Sequence, residues 1–319
     1  MDWRGARAQR AFGIFAWAVL AYNLPVILWG AYVRVSFSGD GCGAHWPFCN
    51  GQMLPQQMAT PMAIEFTHRL MTSLDSIAVI ALCVWAFLSF PRGCAARLYS
   101  VWSLLFLLVE ALLGAGLVLL RYVAHDQSAG RAFYLSAHLT NTLLLLGALT
   151  LTAWLAYTGT EQFEWHSIPW PILGAAAVIV AISITGAIAA LGDTLFPAAS
   201  LAAGMRQDFS SASSGLLRLR SMHPIAAILG AGYVVWVASH LAKTSAAAVR
   251  VIVLVLFQLL AGAVNIGLLA PVWMQLIHLL IADVVWIAMV VMMAESGRQT
   301  AAVVTEPRQM YVSVRGRTS

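Results

Sequence analysis

Eight long, uninterrupted apolar runs dominate this chain and restrict what it can fold into. They cover 12–35, 61–90, 99–121, 131–157, 169–191, 221–241, 249–269 and 272–294, the last two separated by a tight turn at Ala270-Pro271. A helix needs about 20 apolar residues to cross the hydrocarbon of a bilayer, and each run meets that length. Every backbone polar group in hydrocarbon must be bonded internally, so only helices and closed barrels can span it. A barrel would alternate apolar and polar residues, whereas these runs are continuous. Composition agrees: 10% of the residues are charged, against about a quarter in soluble domains. A water-soluble enzyme and a disordered chain are excluded, and the expected fold is an all-α integral membrane protein with eight transmembrane helices. The first ten residues carry Arg4, Arg7 and Arg10 ahead of an apolar run, which imitates a signal peptide. That run exceeds the ~7–15 residues of a signal core, so it is read as an uncleaved first helix.

Positive charge sets the orientation. With a cytoplasmic N-terminus, the inner segments hold 11 cations: Arg4, Arg7, Arg10, Arg92, Arg97, Lys243, Arg250, Arg298, Arg308, Arg315 and Arg317. The outer loops hold five: Arg121, Arg131, Arg206, Arg218 and Arg220. Adding Arg34 and Arg69 to the outer set leaves the sign unchanged. Both termini are therefore expected on the cytoplasmic side of the cell membrane. Topology and lipid contact account for the net charge of +5, and nucleic-acid binding is not called for.

The chain carries signs of an internal repeat. The third run reads VEALLGAGLVLL from Val109 and the seventh FQLLAGAVNIGLL from Phe257, so that aligning Gly114 on Gly262 sets Glu110 on Gln258. The first and fifth runs each carry a late Gly-Ala pair, Gly30-Ala31 and Gly186-Ala187. Small residues are common in membrane helices whatever their ancestry, so composition alone is the competing explanation. Four helices followed by four in the same direction make a parallel repeat. The expected organisation is two pseudo-symmetric four-helix bundles, an N-terminal half over 1–160 and a C-terminal half over 161–294, with a mobile cytoplasmic tail over 295–319.

The histidines give the repeat a chemistry. His68, His138, His223 and His278 fall one on each even-numbered run. His68, His138 and His278 each follow the apparent start of their helix by seven residues, roughly 10 Å into the membrane at ~1.5 Å per residue. His223 lies slightly shallower, three residues after Arg220. Each half thus offers two imidazoles at similar depth on different helices, the arrangement that clamps a haem iron from both faces. A lone membrane histidine is more often a hydrogen-bonded interior group. Four at one depth are not readily explained that way, since intramembrane ionisable groups are costly and usually functional. A quinone pocket or a proton relay is the remaining alternative. His45, His125, His166 and His240 lie in loops or at a helix end and read as solvated groups.

Glu65 precedes His68 by three residues and shares its helical face. A carboxylate beside a haem edge can trade protons or stabilise developing positive charge; the plainer reading pairs it with Arg69. In the other half the corresponding position is Arg220, so the two sites are chemically unequal. Asp75, Glu110 and Asp283 also lie within runs and are read as helix–helix hydrogen-bonding groups. Arg69, Arg218 and Arg220 are candidates for pairing with haem propionates, with topology or lipid headgroups as the competing explanation. The first outer loop holds Cys42 and Cys49, for which a disulfide is the natural state in an oxidising compartment. A structural staple and a redox pair both suit the spacing, and a zinc site with His45 lacks a fourth ligand. Cys83 and Cys94 read as ordinary thiols.

Eight spans, the EFTHR segment from Glu65 to Arg69, one histidine on each even helix and a cysteine pair in the first outer loop resemble the haem A synthase family. The resemblance covers essentially 12–294. It implies an enzyme that oxidises the C8 methyl of haem O to a formyl group, making haem A for cytochrome c oxidase. It implies a haem b cofactor on His223 and His278, and substrate haem O between His68 and His138. It implies a catalytic role for Glu65 and a disulfide between Cys42 and Cys49, with haem O synthase and the cytochrome oxidase assembly apparatus as partners. Some members carry a second cysteine pair between the fifth and sixth helices; this chain has none between Gly192 and Arg220. The rival from another class is a di-haem b electron carrier of the quinol–cytochrome type that modifies neither haem. The inequality of Glu65 and Arg220 speaks against it, and matched deep ligand pairs speak against a haem transporter or chaperone.

Overall fold

A computed structural model describes residues 3–210 and 215–315. Its α-helices are α1 (Trp3–Val35), α2 (Thr60–Ser89), α3 (Ala95–Leu119), α4 (Ala129–Thr158), α5 (Trp170–Leu195), α6 (Leu201–Phe209), α7 (Gly215–Leu241), α8 (Ala246–Gly267) and α9 (Val272–Arg315). All except α6 are long and apolar enough to cross a membrane, which gives the eight spans expected. The chain is a multi-pass membrane protein.

Local chemistry marks the helix ends. Pro61 and Pro171 sit in the first turns of α2 and α5, where a missing N–H costs nothing. The Ser128 hydroxyl caps α4 by accepting from the Arg131 N–H at 3.2 Å, and Ser245 caps α8 through Ala248. Gly159 stops α4 at φ +68°, a left-handed conformation that glycine adopts without strain.

Two features depart from the sequence reading. The α6 helix, nine residues inside a segment read as loop, is capped by Ser200; so short an element leaves almost no periodicity to detect. The polar segment from Glu295, read as a mobile tail, continues α9 as helix through Arg315. Residues 316–319, including Arg317, lie outside the described residues.

Helix α1 packs on α2 and α4, and α3 packs on the same two. Helix α7 packs on α5 and α8, and α9 packs on α5 and α8. Contacts of α4 with α5 and α9, and of α1 with α9, join these groups. Among the spans, helix α4 is the most enclosed and α3 the least. Leu143, Leu146 and Leu149 of α4 form the central core with Met289 and Met292 of α9. Gly147 leaves room for the Trp286 indole, whose Nε1 donates to the Leu143 carbonyl at 2.6 Å. Exposed apolar side chains such as Leu88, Leu112 and Leu229 form the surface a membrane bundle turns to lipid.

Arg34, which entered the sequence reading only in the charge census, ties α1 to α5 and α9. Its Nη1 donates to the Ala190 carbonyl at 2.7 Å and to Thr194 Oγ1 at 2.5 Å. Its Nη2 donates to Gln275 Oε1 at 3.3 Å.

Candidate functional site

Each of the four intramembrane histidines lies over a glycine of the preceding long helix. A Cβ placed on Gly30 of α1 would stand 2.9 Å from Cε1 of His68 on α2. One on Gly186 of α5 would stand 3.0 Å from Cε1 of His223 on α7, and one on Gly262 of α8 3.1 Å from Cε1 of His278 on α9. Gly114 of α3 faces His138 of α4 more loosely, at 3.9 Å from Nε2. These are the four glycines that carry the sequence repeat. Side chains at Gly30, Gly186 and Gly262 would push the imidazoles away, so the small residues let the rings approach the neighbouring backbone.

The rings of the C-terminal half come together. His223 and His278 have ring centres 6.5 Å apart and planes inclined by 79°, and His68 lies within electrostatic range of His138. Nδ1 of His223 lies 3.0 Å from Thr185 Oγ1, and Nε2 of His278 lies 3.3 Å from the Gln258 amide. Nδ1 of His138 lies 3.0 Å from Glu110 Oε1, although not in line for a hydrogen bond. Nδ1 of His68 and of His278 are buried without a hydrogen-bond partner.

This arrangement fits a haem. With metal–nitrogen bonds of ~2 Å, two imidazoles on opposite sides of one iron have ring centres a little over ~6 Å apart, close to the spacing of His223 and His278. Orphaned nitrogens in an apolar interior are unfavourable unless they meet a ligand. Among the described residues no group of three or more His, Cys, Asp or Glu forms a site for a bare metal ion. Haem iron needs only two protein ligands.

Glu65, 3% exposed, is held from two sides. Its Oε2 accepts the Cys42 backbone N–H at 2.8 Å. Its Oε1 accepts from Arg69 Nη2 at 2.5 Å and Nε at 3.2 Å, so the pairing with Arg69 left open by the sequence is present. Arg69 also donates to the carbonyls of His45, Pro47 and Phe48. The loop that embraces Glu65 and Arg69 is closed by the Cys42–Cys49 disulfide, which leaves no thiolate for zinc. Cys83 and Cys94 are free and buried.

Asp75 accepts from Asn23 Nδ2 at 2.9 Å, the helix–helix bond expected of it. Glu110 joins α3 to α4 by accepting from Asn141 Nδ2 at 2.6 Å and from the Thr142 hydroxyl. Asp283 corrects the expectation: it is 1% exposed and neither carboxylate oxygen has a hydrogen-bond partner. Backbone N–H groups inside helices are already committed and carbonyls only accept, so an apolar bundle offers a carboxylate few donors. Arg220 binds Asp208 at 2.6 Å and Asp193 at 3.4 Å, and Arg218 is exposed. Arg131, counted only as an outer-loop charge, is buried and donates to the Ala124 and Asp126 carbonyls. His125 stacks on Phe37, while the rings of His166 and His240 meet Glu164 and the Trp236 carbonyl.

Fold and site together define a multi-pass helical membrane protein with paired, glycine-backed histidines. Residues 13–290 match the cytochrome oxidase assembly protein family, COX15-CtaA, and the chain belongs to it. A protein named protoheme IX farnesyltransferase from Thermus thermophilus is 41% identical over 292 residues, which cover 86% of this chain and 47% of that protein. A heme A synthase of Geobacillus kaustophilus is 32% identical over 160 residues, 50% of this chain and 48% of that one. A heme A synthase of Lysinibacillus sphaericus is 31% identical over 165 residues, 48% and 51% of the two chains. The chain spans about half the length of the curated relatives it matches. The resemblance to haem A synthases drawn from the residues is borne out.

Proposed function

We propose that this protein acts as a haem A synthase, oxidising the C8 methyl of haem O to the formyl group of haem A for cytochrome c oxidase. The observation that carries the reading is the inequality of the two histidine pairs. A buried glutamate, Glu65, stands one turn before His68. An arginine ion-paired to Asp208, Arg220, stands one turn before His223. Substrate haem O is assigned to His68 and His138 and cofactor haem b to His223 and His278. Bound there, haem b supplies one-electron transfer. The haem is a rigid planar group, and Gly30, Gly114, Gly186 and Gly262 keep the imidazoles back from it.

Glu65 is the catalytic group in this reading: it takes a proton from, or stabilises positive charge beside, the methyl carbon under oxidation. Arg69 and the Cys42 N–H orient its two oxygens and close the site from bulk water. The halves over 1–160 and 161–294 are the two haem-binding units, and both termini face the cytoplasm. The Thermus thermophilus relative supports the substrate. A chain of this kind makes up about half of a protein named for transferring a farnesyl group to protohaem, and haem O is a farnesylated haem. A haem O synthase is accordingly the expected upstream partner.

The test is expression with a haem O supply, followed by extraction and chromatography of the haems. Haem A from the wild type and its loss in Glu65→Ala support the reading. No haem A from the wild type, or undiminished haem A from Glu65→Ala, overturns it. Two stoichiometric haem b groups whatever haem is supplied would mark a di-haem electron carrier instead.

A further inference from the structure

We propose that Glu110 is a positioning residue that strengthens His138 as an iron ligand and so makes the two haem sites electronically unequal. This rests on the assignment of His138 to a haem. The observation is a polar cluster on one side only. Glu110 Oε1 lies 3.0 Å from His138 Nδ1, a charge contact that is not aligned as a hydrogen bond, on the nitrogen left over when Nε2 faces an iron. The same carboxylate is anchored by Asn141 and Thr142, and the Thr142 hydroxyl also donates to the His138 carbonyl at 2.9 Å. All of these α4 residues lie within about one turn of His138. In the other half Gln258 takes the place of Glu110, but its amide nitrogen lies 3.3 Å from Nε2 of His278, and Nδ1 of that ring has no hydrogen-bond partner. Ile281 and Ala282 stand three and four residues after His278, where Asn141 and Thr142 follow His138.

The consequence follows from ligand chemistry. A carboxylate beside the far nitrogen of a ligating imidazole raises its basicity. In the other half the Gln258 amide carries no net charge, and its nitrogen donates to Nε2 of His278 instead of accepting a ring proton. A more basic ligand favours the ferric over the ferrous state. His138 is thus the stronger donor of the four histidines, and its haem is held at a lower reduction potential than the haem on His223 and His278. Asn141 and Thr142 occupy the carboxylate's other lone pairs and keep it at the interhelical seam, where a buried carboxylate with no donors would be unfavourable.

The experiment is an optical redox titration of the purified full-length protein prepared with a haem O supply, with haem content measured alongside. It uses wild type, Glu110→Gln, which preserves size and one of the two acceptor oxygens that Asn141 and Thr142 meet, and the reciprocal Gln258→Glu. Glu110→Gln is expected to raise the midpoint potential of one haem, leave the other unmoved, and weaken haem retention in that half by roughly tenfold or more. Gln258→Glu is expected to lower the potential of the other haem. Both haems present with potentials unmoved by either exchange would overturn the proposal and leave the haem assignment standing. A wild type that binds no haem would overturn both. A role confined to joining α3 and α4 would change thermal stability without moving either potential.

Discussion

The backbone N–H of Cys42 donates to Oε2 of Glu65 across 2.8 Å, which ties the disulfide loop to the carboxylate one turn before His68. Arg69 completes the link by spanning Glu65 Oε1 and three loop carbonyls. The loop, the carboxylate and the histidine helix are therefore one mechanical unit, and the state of the disulfide bears on the position of Glu65.

Removing the charge at this junction separates chemistry from haem binding. Glu65→Gln keeps an acceptor for Cys42 but no longer offers Arg69 a carboxylate. Haem A yield is expected to fall by about 10²–10⁴-fold, the range for a lost acid–base group, while purified protein retains its haem b absorbance. Haem extraction and an absolute spectrum of the same preparation check both halves of the statement.

Opening the disulfide acts on Glu65 indirectly. The Cys42–Cys49 bridge closes a short loop with a sequence separation of 7, and chain entropy assigns such a closure about 2–3 kcal/mol. The double substitution Cys42→Ala, Cys49→Ala is expected to lower haem A yield less than Glu65→Ala does. It should also lower the unfolding temperature in detergent. A yield equal to wild type would show that the loop holds its place without the bridge.

The glycines facing the histidines are expected to rank by distance. Gly30→Ala and Gly186→Ala bring a methyl to 2.9 Å and 3.0 Å of His68 and His223, so each should displace its ring at a cost of about 1–3 kcal/mol. Gly114→Ala, with 3.9 Å to His138, should be tolerated. Haem spectra and thermal melts of the three variants measure the order, and equal behaviour would remove the glycines from the account.

Two buried aspartates should respond in opposite ways. Asn23→Leu deprives Asp75 of its donor and is expected to destabilise by about 1–3 kcal/mol, the penalty for a buried group left unpaired. Asp283→Leu removes a carboxylate that has no hydrogen-bond partner and is expected to be neutral or stabilising. Thermal denaturation in one detergent compares them directly.

Legibility followed range of interaction. The eight spans were readable because each is a local string whose length must match a bilayer, and the four histidines because they share a depth on alternate helices. The Glu65–Arg69 pair was readable because four residues make one helical turn. The roles of Arg34 and Glu110 were not, because their partners lie on other helices: Arg34 meets Ala190 and Thr194, and Glu110 meets His138. Glu110 was visible as an intramembrane charge aligned with Gln258, but nothing local shows that it reaches a histidine. Asp283 was expected to be hydrogen-bonded on the general behaviour of membrane helices, and the shortage of donors around it is a property of packing.

The sequence by itself determined the membrane, the number of crossings and which residues could carry chemistry, since hydropathy and helical spacing are properties of neighbours along the chain. Only the tertiary structure decided that each histidine rests on a glycine, that Glu65 is bound to a disulfide loop, and that one histidine of the four faces a carboxylate. Those relations join residues tens of positions apart, and their distances are set by how the helices pack.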